Sequence, residues 1–377
     1  MKRALSLGLC LVLLTVNVSA EVPLSSKSAV LIEASSGTVL LEQAPHQKLP
    51  PASVTKIMTL LLIAEAIDSG TVKMDDLVAC SDYASSMGGS QVYLKAGEQM
   101  TVSDMLKAIA VASANDACVA MAEHIAGSES AFVARMNERA AALGMKNTNF
   151  CNTNGLPDPN HLTSAYDIAL MSRELLRHPK ILPYLGIWTD SLRDGAFGLA
   201  NTNKLIRFYK GANGIKTGST NDAGFCLSAS ALRDGMQLIA VVLGAPTSKE
   251  RFADATALLD FGFANYEIGQ GVGAGEVLAS IPVSKGSAEE VALIAPKAFA
   301  PLLKKGQGAS LTSVTEFPES IAAPIEAGQE LGLMRFSVGD TEIGTLPLVA
   351  ADGVEKRKMG ASFSLLCRSW VVAKPKI

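Results

Sequence analysis

Ser53 and Lys56 stand three positions apart, directly after Pro50-Pro51-Ala52. On a helix that spacing puts both side chains on one face. A serine hydroxyl is a poor nucleophile until something takes its proton, and a neutral amine beside it can do so. A lysine ordinarily titrates at about 10.4, so acting as a base at neutral pH requires roughly 4 kcal/mol of differential destabilisation of its charged form. Burial on a central helix supplies part of this and a second cation the rest, with Lys216 as the candidate. Taken alone, Ser-x-x-Lys also fits an exposed helix start with a solvated lysine.

Two further stretches carry compatible chemistry. Ser113-Ala114-Asn115-Asp116 offers a hydroxyl and a carboxamide. Ser113 could pass a proton between Lys56 and a departing amine, and Asn115 could bond a substrate amide while holding Lys56. The competing reading is a helix cap, for which Ser, Asn and Asp are all favoured. Lys216-Thr217-Gly218 follows Asn213-Gly214. A glycine on an edge strand lets a peptide substrate approach the backbone. The ammonium and hydroxyl beside it suit a terminal carboxylate. Backbone N–H groups of Ser53 and Ser219 would complete an oxyanion hole, each such donor being worth about 3 kcal/mol. A surface strand with one charged residue is the plainer alternative.

These groups need elements to hold them. Residues 28–33 and 38–42, separated by Ser35-Ser36-Gly37, read as a strand hairpin. Ile57, Leu60, Leu61, Ala64 and Ile67 repeat at helical spacing up to Gly70. Residues 103–126 read as one alanine-rich helical region, 128–143 as another helix, 147–163 as a loop and 166–176 as a helix. Strands follow at 215–217, 224–230 and 236–243, the last two joined at Asp234-Gly235. Residues 248–266 read as a closing helix. The pattern predicts an α+β fold: an antiparallel sheet flanked by helices, with a helical lobe inserted. Beyond about Gly269, short alternating runs (277–283, 290–295, 332–338) between turn residues predict a small all-β domain.

The chain has 377 residues, 18% of them charged, and a formal net charge of -3. That balance excludes a nucleic-acid binder driven by a basic surface. Lys2 and Arg3 precede an apolar run, Leu5 to Val16, and Val18-Ser19-Ala20 ends it with small residues. This reads as a secretory signal peptide, residues 1–20. At the other end, residues 359–377 place Phe363, Leu366, Cys367, Trp370 and Val371 on one helical stripe, an amphipathic tail that could lie on a membrane surface. The sequence so divides into signal (1–20), main domain (21–267), β-rich domain (268–358) and tail (359–377). Six scattered cysteines without a C-x-x-C pair do not make a disulfide framework. The four histidines show no metal-binding spacing, so no metal is expected. His161 falls in the middle loop, where it could approach a cleft.

The three motifs in this order form the set shared by penicillin-binding proteins and serine β-lactamases. Over roughly residues 25–265 the chain closely resembles the bacterial D-alanyl-D-alanine carboxypeptidases, the low-molecular-mass penicillin-binding proteins. Pro51-Ala52-Ser53-Val54-Thr55-Lys56-Ile57-Met58-Thr59, Ser113-Ala114-Asn115-Asp116-Ala117 and Gly214-Ile215-Lys216-Thr217-Gly218 carry the likeness. So do Met136-Asn137, Leu143-Gly144-Met145 and Thr163-Ser164-Ala165-Tyr166-Asp167. The resemblance implies Ser53, Lys56 and Ser113 as catalytic residues, with Asn115, Lys216, Thr217, Gly218 and Ser219 binding substrate. It implies a peptidoglycan stem peptide ending in D-Ala-D-Ala as substrate, β-lactam antibiotics as ligands of Ser53, and no cofactor. Two positions depart from some relatives: Ser219 and Asn154 stand where those carry histidine. A β-lactamase is the alternative enzyme, but the 152–167 loop contains no Glu to activate a deacylating water. A non-catalytic wall-binding protein on the same fold is the third reading.

Overall fold

The computed structural model describes residues 22–357. The expected signal segment and tail lie outside the described residues. Strand Ser28–Glu33 is buried along its whole length because it is paired on both sides. Its neighbours are Val39–Gln43 and Met236–Ala245, both antiparallel. Gly224–Arg233 and then Ala212–Thr220 complete a five-stranded antiparallel sheet. Ala212–Thr220 is therefore an edge strand. Its register with Gly224–Arg233 pairs Lys216 with Ser228 and Gly218 with Cys226.

Successive residues of these strands face opposite layers, as the pleat requires. Val30, Ile32, Ile239 and Val241 join a core shared with the helices of the lobe. Ala29, Leu31, Leu238, Ala240 and Val242 join a second core with Leu258 and Leu259 of the Ser248–Asn265 helix. Helix Lys56–Asp68 is buried over most of its surface and lies inside the first core, as its largely apolar composition demands.

The helical region read over 103–126 consists of two helices, Val102–Ala110 and Asn115–Ala126. Between them Ser113 adopts φ 61. The Ala114 N–H bonds to the Ala108 carbonyl and the Asn115 N–H to that of Ser90. The helix-cap reading of Ser113-Ala114-Asn115-Asp116 was the sequence's hint of this break, which a local bond to Ala108 and a long-range bond to Ser90 hold. A second refinement concerns the start of the central helix. Ala52–Thr55 is a single 3₁₀ turn, and the α-helix begins at Lys56.

The C-terminal part is all-β. Its six-stranded sheet runs in the order Leu311–Glu316, Glu330–Val338, Thr341–Ala350, Glu290–Ile294, Val277–Ser284, Ile321–Ala322. It has a core of its own around Ile281, Leu293, Phe336, Leu346 and Leu348. A short ladder, Tyr266–Ile268 on Leu302–Lys304, ties this part to the end of the preceding helix. Among the described residues no helix is long and apolar enough to cross a membrane.

The hairpin at Asp234-Gly235 turns with φ 49 and φ 79, the type I′ signature. A Cβ on Gly235 would meet no atom within 4 Å. Gly235→Ala therefore isolates backbone strain, and we expect a loss of about 1–2 kcal/mol in urea unfolding.

Candidate active site

The Pro50-Pro51 segment leads into the 3₁₀ turn that carries Ser53. Ala52 in that turn has φ 50, in the left-handed region, although it is not glycine. Such a conformation persists only where surrounding contacts hold it. Here the Thr55 hydroxyl donates to the Ala52 carbonyl at 2.8 Å.

Lys56 is fully buried and makes three hydrogen bonds through Nζ. They reach Ser53 Oγ at 2.9 Å, Asn115 Oδ1 at 2.7 Å and the Asn154 carbonyl at 2.7 Å. Asn115 is itself fixed, because its Nδ2 donates to the Gly88 carbonyl at 2.7 Å. That bond decides which amide atom faces Lys56. Asp116, the next residue, accepts from the backbone N–H groups of Val92, Leu94 and Ala117. It so holds the 88–95 segment against the start of the Asn115–Ala126 helix.

Two of Lys56's partners, the Asn154 carbonyl and Asn115 Oδ1, can only accept. When Lys56 is neutral it keeps two N–H bonds and one lone pair. The two N–H groups remain with the two obligate acceptors. The lone pair then faces the one partner able to donate, the Ser53 hydroxyl.

Burial favours that neutral form. It pushes Lys56 down to about 8, against the opposing charge of Asp116. Lys216 is pushed down to about 7, by burial first and then by the positive charge of Lys56. Burial is the larger cause for both amines, and the repulsion between the two lysines, being mutual, disfavours charging both at once. The two buried amines titrate as a pair.

The edge strand closes the site. A Cβ on Gly218 would lie 2.8 Å from the Ser53 nitrogen and 2.9 Å from the Pro51 carbonyl oxygen and the Val54 nitrogen. Gly218 thus lets the Ser53 turn press against the strand, an approach of protein to protein where the sequence suggested only room for a peptide. Thr217 is buried and its hydroxyl meets that of Thr202. Ser219 is exposed. Lys216 Nζ donates to the Thr217 carbonyl at 3.1 Å. Ser113 is buried at the helix break, and its hydroxyl is not among the partners of Lys56.

Several neighbours had no sequence signal. The Asn154 carbonyl is a main-chain group on a loop. A Cβ at Gly155, which has φ +86, would sit 1.9 Å from the Ala52 carbonyl oxygen, so only glycine allows the loop this close. Arg251 comes from the closing helix. It is buried and its Nη1 donates to the Gly218 carbonyl at 3.2 Å and the Cys226 carbonyl at 3.3 Å. Burial lowers its pKa to about 10. His161, which the sequence already placed in the middle loop within reach of a cleft, lies beneath the turn, with Nε2 at 2.8 Å from Thr55 Oγ1. Burial pushes it down to about 4 despite the charge of Asp158. Glu129 reaches the middle loop from the next helix and accepts from the Thr153 N–H and hydroxyl through Oε1 and from the Tyr83 hydroxyl through Oε2.

A family profile described as D-alanyl-D-alanine carboxypeptidase matches residues 15–247, and one described as penicillin-binding protein 5, C-terminal domain, matches residues 266–356. The chain is 45% identical to the D-alanyl-D-alanine carboxypeptidase DacF of Bacillus subtilis, over 90% of this chain and 88% of that protein. It is 34% identical to DacA of Escherichia coli K12, over 93% and 91%. Among solved structures, penicillin-binding protein 5 of Haemophilus influenzae aligns with a TM-score of 0.78 at 31% identity, covering 89% of this chain and 99% of that one. Penicillin-binding protein D2 of Listeria monocytogenes, in its ampicillin-bound form, aligns at 0.59 and 31%, covering 64% and 99%. Fold and relatives together define a serine hydrolase. The chain belongs to the D-alanyl-D-alanine carboxypeptidase family.

Direct titration checks the electrostatics. With Lys56 and Lys216 isotopically labelled, the first amine of the pair should lose its proton at about pH 7–8. Two amines that stay charged through about pH 10, as free lysine does, contradict the description.

Proposed function

We propose that the protein removes the terminal D-alanine from peptidoglycan stem peptides through a Ser53 acyl-enzyme, and that penicillins acylate the same hydroxyl. The observation that carries this reading is the hydrogen-bond set of Lys56, which leaves Ser53 as the one donor to its lone pair.

Ser53 Oγ bonds to the carbonyl carbon of the penultimate D-alanine, and its proton passes to Lys56 Nζ. The carbonyl oxygen becomes an oxyanion, stabilised by the N–H groups of Ser53 and Ser219. The C–N bond then breaks. Ser113, at the mouth of the helix break, delivers the proton held by Lys56 to the leaving nitrogen. Water attacks the resulting ester, gives a proton to Lys56, and frees the shortened peptide and the Ser53 hydroxyl. Asn115 bonds the substrate amide as well as orienting Lys56. Lys216, Thr217 and the edge-strand backbone at Gly218 and Ser219 receive the terminal carboxylate, with the Arg251 charge behind them. A bound carboxylate keeps the proton of the lysine pair on Lys216, which leaves Lys56 as the neutral base.

The β-lactamase reading lacks a water-activating glutamate: Glu129 is engaged with Thr153 and Tyr83, and the 152–167 loop contains no Glu. The substrate lies outside the cytoplasm, which accords with a cleaved segment 1–20 and with a tail 359–377 resting on the outer face of the membrane.

Ser53→Ala tests the assignment. Release of D-alanine from a D-Ala-D-Ala pentapeptide should fall by at least about 10⁴-fold, as on loss of a serine nucleophile. Intact-mass spectrometry should show a penicilloyl adduct on the unaltered protein and none on the variant. Continued release, or an adduct on another residue, overturns the assignment.

A further inference from the structure

His161 is not a partner of Ser53 or Lys56, yet it connects the two segments that flank them. The backbone N–H of Cys151 can only donate, and it reaches His161 Nδ1 at 3.1 Å. That nitrogen must therefore accept, so the neutral ring carries its proton on Nε2. Nε2–H then donates to Thr55 Oγ1 at 2.8 Å, and the Thr55 hydroxyl proton goes on to the Ala52 carbonyl. The relay has one direction throughout, from the middle loop to the Ser53 turn.

Its two ends matter. At one end is Ala52, the left-handed residue immediately before Ser53. At the other is Cys151, three residues before Asn154, whose carbonyl holds Lys56. Loop and turn touch directly between the relay and that carbonyl, where Gly155 faces the Ala52 carbonyl and Thr55 Oγ1. The ring is 2% exposed and packs edge-on to Phe150 with centroids 5.6 Å apart. No other side chain links the loop to the turn through a ring so enclosed among the described residues.

We infer that His161 is a positioning residue of the reaction: it clamps the middle loop to the Ser53 turn through Thr55, and so holds the Asn154 carbonyl where it directs the Lys56 lone pair at Ser53. This rests on the reading of Ser53 as nucleophile and Lys56 as base. The charged and titratable groups acting on the two ends are few. Asp158 is the charge that acts on the imidazole, and Cys151 meets it through its main chain. Asp116 and Cys118 of the Asn115–Ala126 helix and Lys216 of the edge strand face Lys56.

The test is the rate constant for acylation by benzylpenicillin from about pH 5 to pH 10, a range that brackets the base. It is measured for the full chain, His161→Ala, His161→Gln, Thr55→Val and the His161→Ala/Thr55→Val pair. Breaking the clamp from either side should slow acylation on the order of tenfold to a hundredfold, the effect of a small misplacement. The rising limb of the pH profile should move to higher pH, because water admitted beside Lys56 returns its amine toward the ordinary range. His161→Gln keeps an N–H for Thr55 and should recover most of the rate. The double variant should be no slower than the slower single one, as expected for one shared interaction. If His161→Ala does not fold, Thr55→Val and His161→Gln still decide the matter. An unmoved rising limb in the folded variants, or a Gln variant as slow as Ala, overturns the clamp. A penicilloyl adduct that does not map to Ser53 in the unaltered protein overturns the underlying reading instead.

Discussion

A buried amine governs this site. Lys56 has no solvent to satisfy it, so its three protein partners determine both where its protons point and how readily it gives one up. Two of those partners are carbonyl oxygens that cannot change role. Their rigidity makes the third partner reactive. Removing an ammonium from water is costly, and a site that does so must provide good geometry in return. The lobe helices, the sheet and the middle loop each contribute one wall of that enclosure.

Bringing three walls within hydrogen-bond reach of one nitrogen demands that backbones nearly touch. Gly155 and Gly218 permit this on opposite sides of the Ser53 turn. Both contacts are with main-chain atoms, which cannot rotate away as a side chain can. The left-handed Ala52 sits between them. A turn confined on both flanks has little freedom to relax, and this fixes the hydroxyl relative to the amine without a contact to the hydroxyl itself.

Much of this organisation was legible in the sequence. The hairpin at Asp234-Gly235, the apolar stripe from Ile57 to Ile67 and the alternating strands after Gly269 all follow from local pattern, because burial imposes a period. Lys56 joins Ser53 to Asn115, and Gly218 adjoins Ser53, as three motifs meeting in one pocket require. Other features had no local cause. The helix break at Ser113 is held partly by the Ser90 carbonyl, which comes from a separate segment of the chain. The Asn154 carbonyl is a group every residue possesses. Arg251 and Thr202 act through position alone, each reaching the edge strand from a separate segment.

The strand lining the cleft has one free side. A ligand that lies along it meets main-chain amides and carbonyls, and these are the same whatever residue occupies each position. Only proline deletes one of them. A ligand held along that edge would keep those main-chain contacts through most changes of side chain on the strand, so such changes would be felt chiefly at groups that project beside it, such as Lys216 and Thr217.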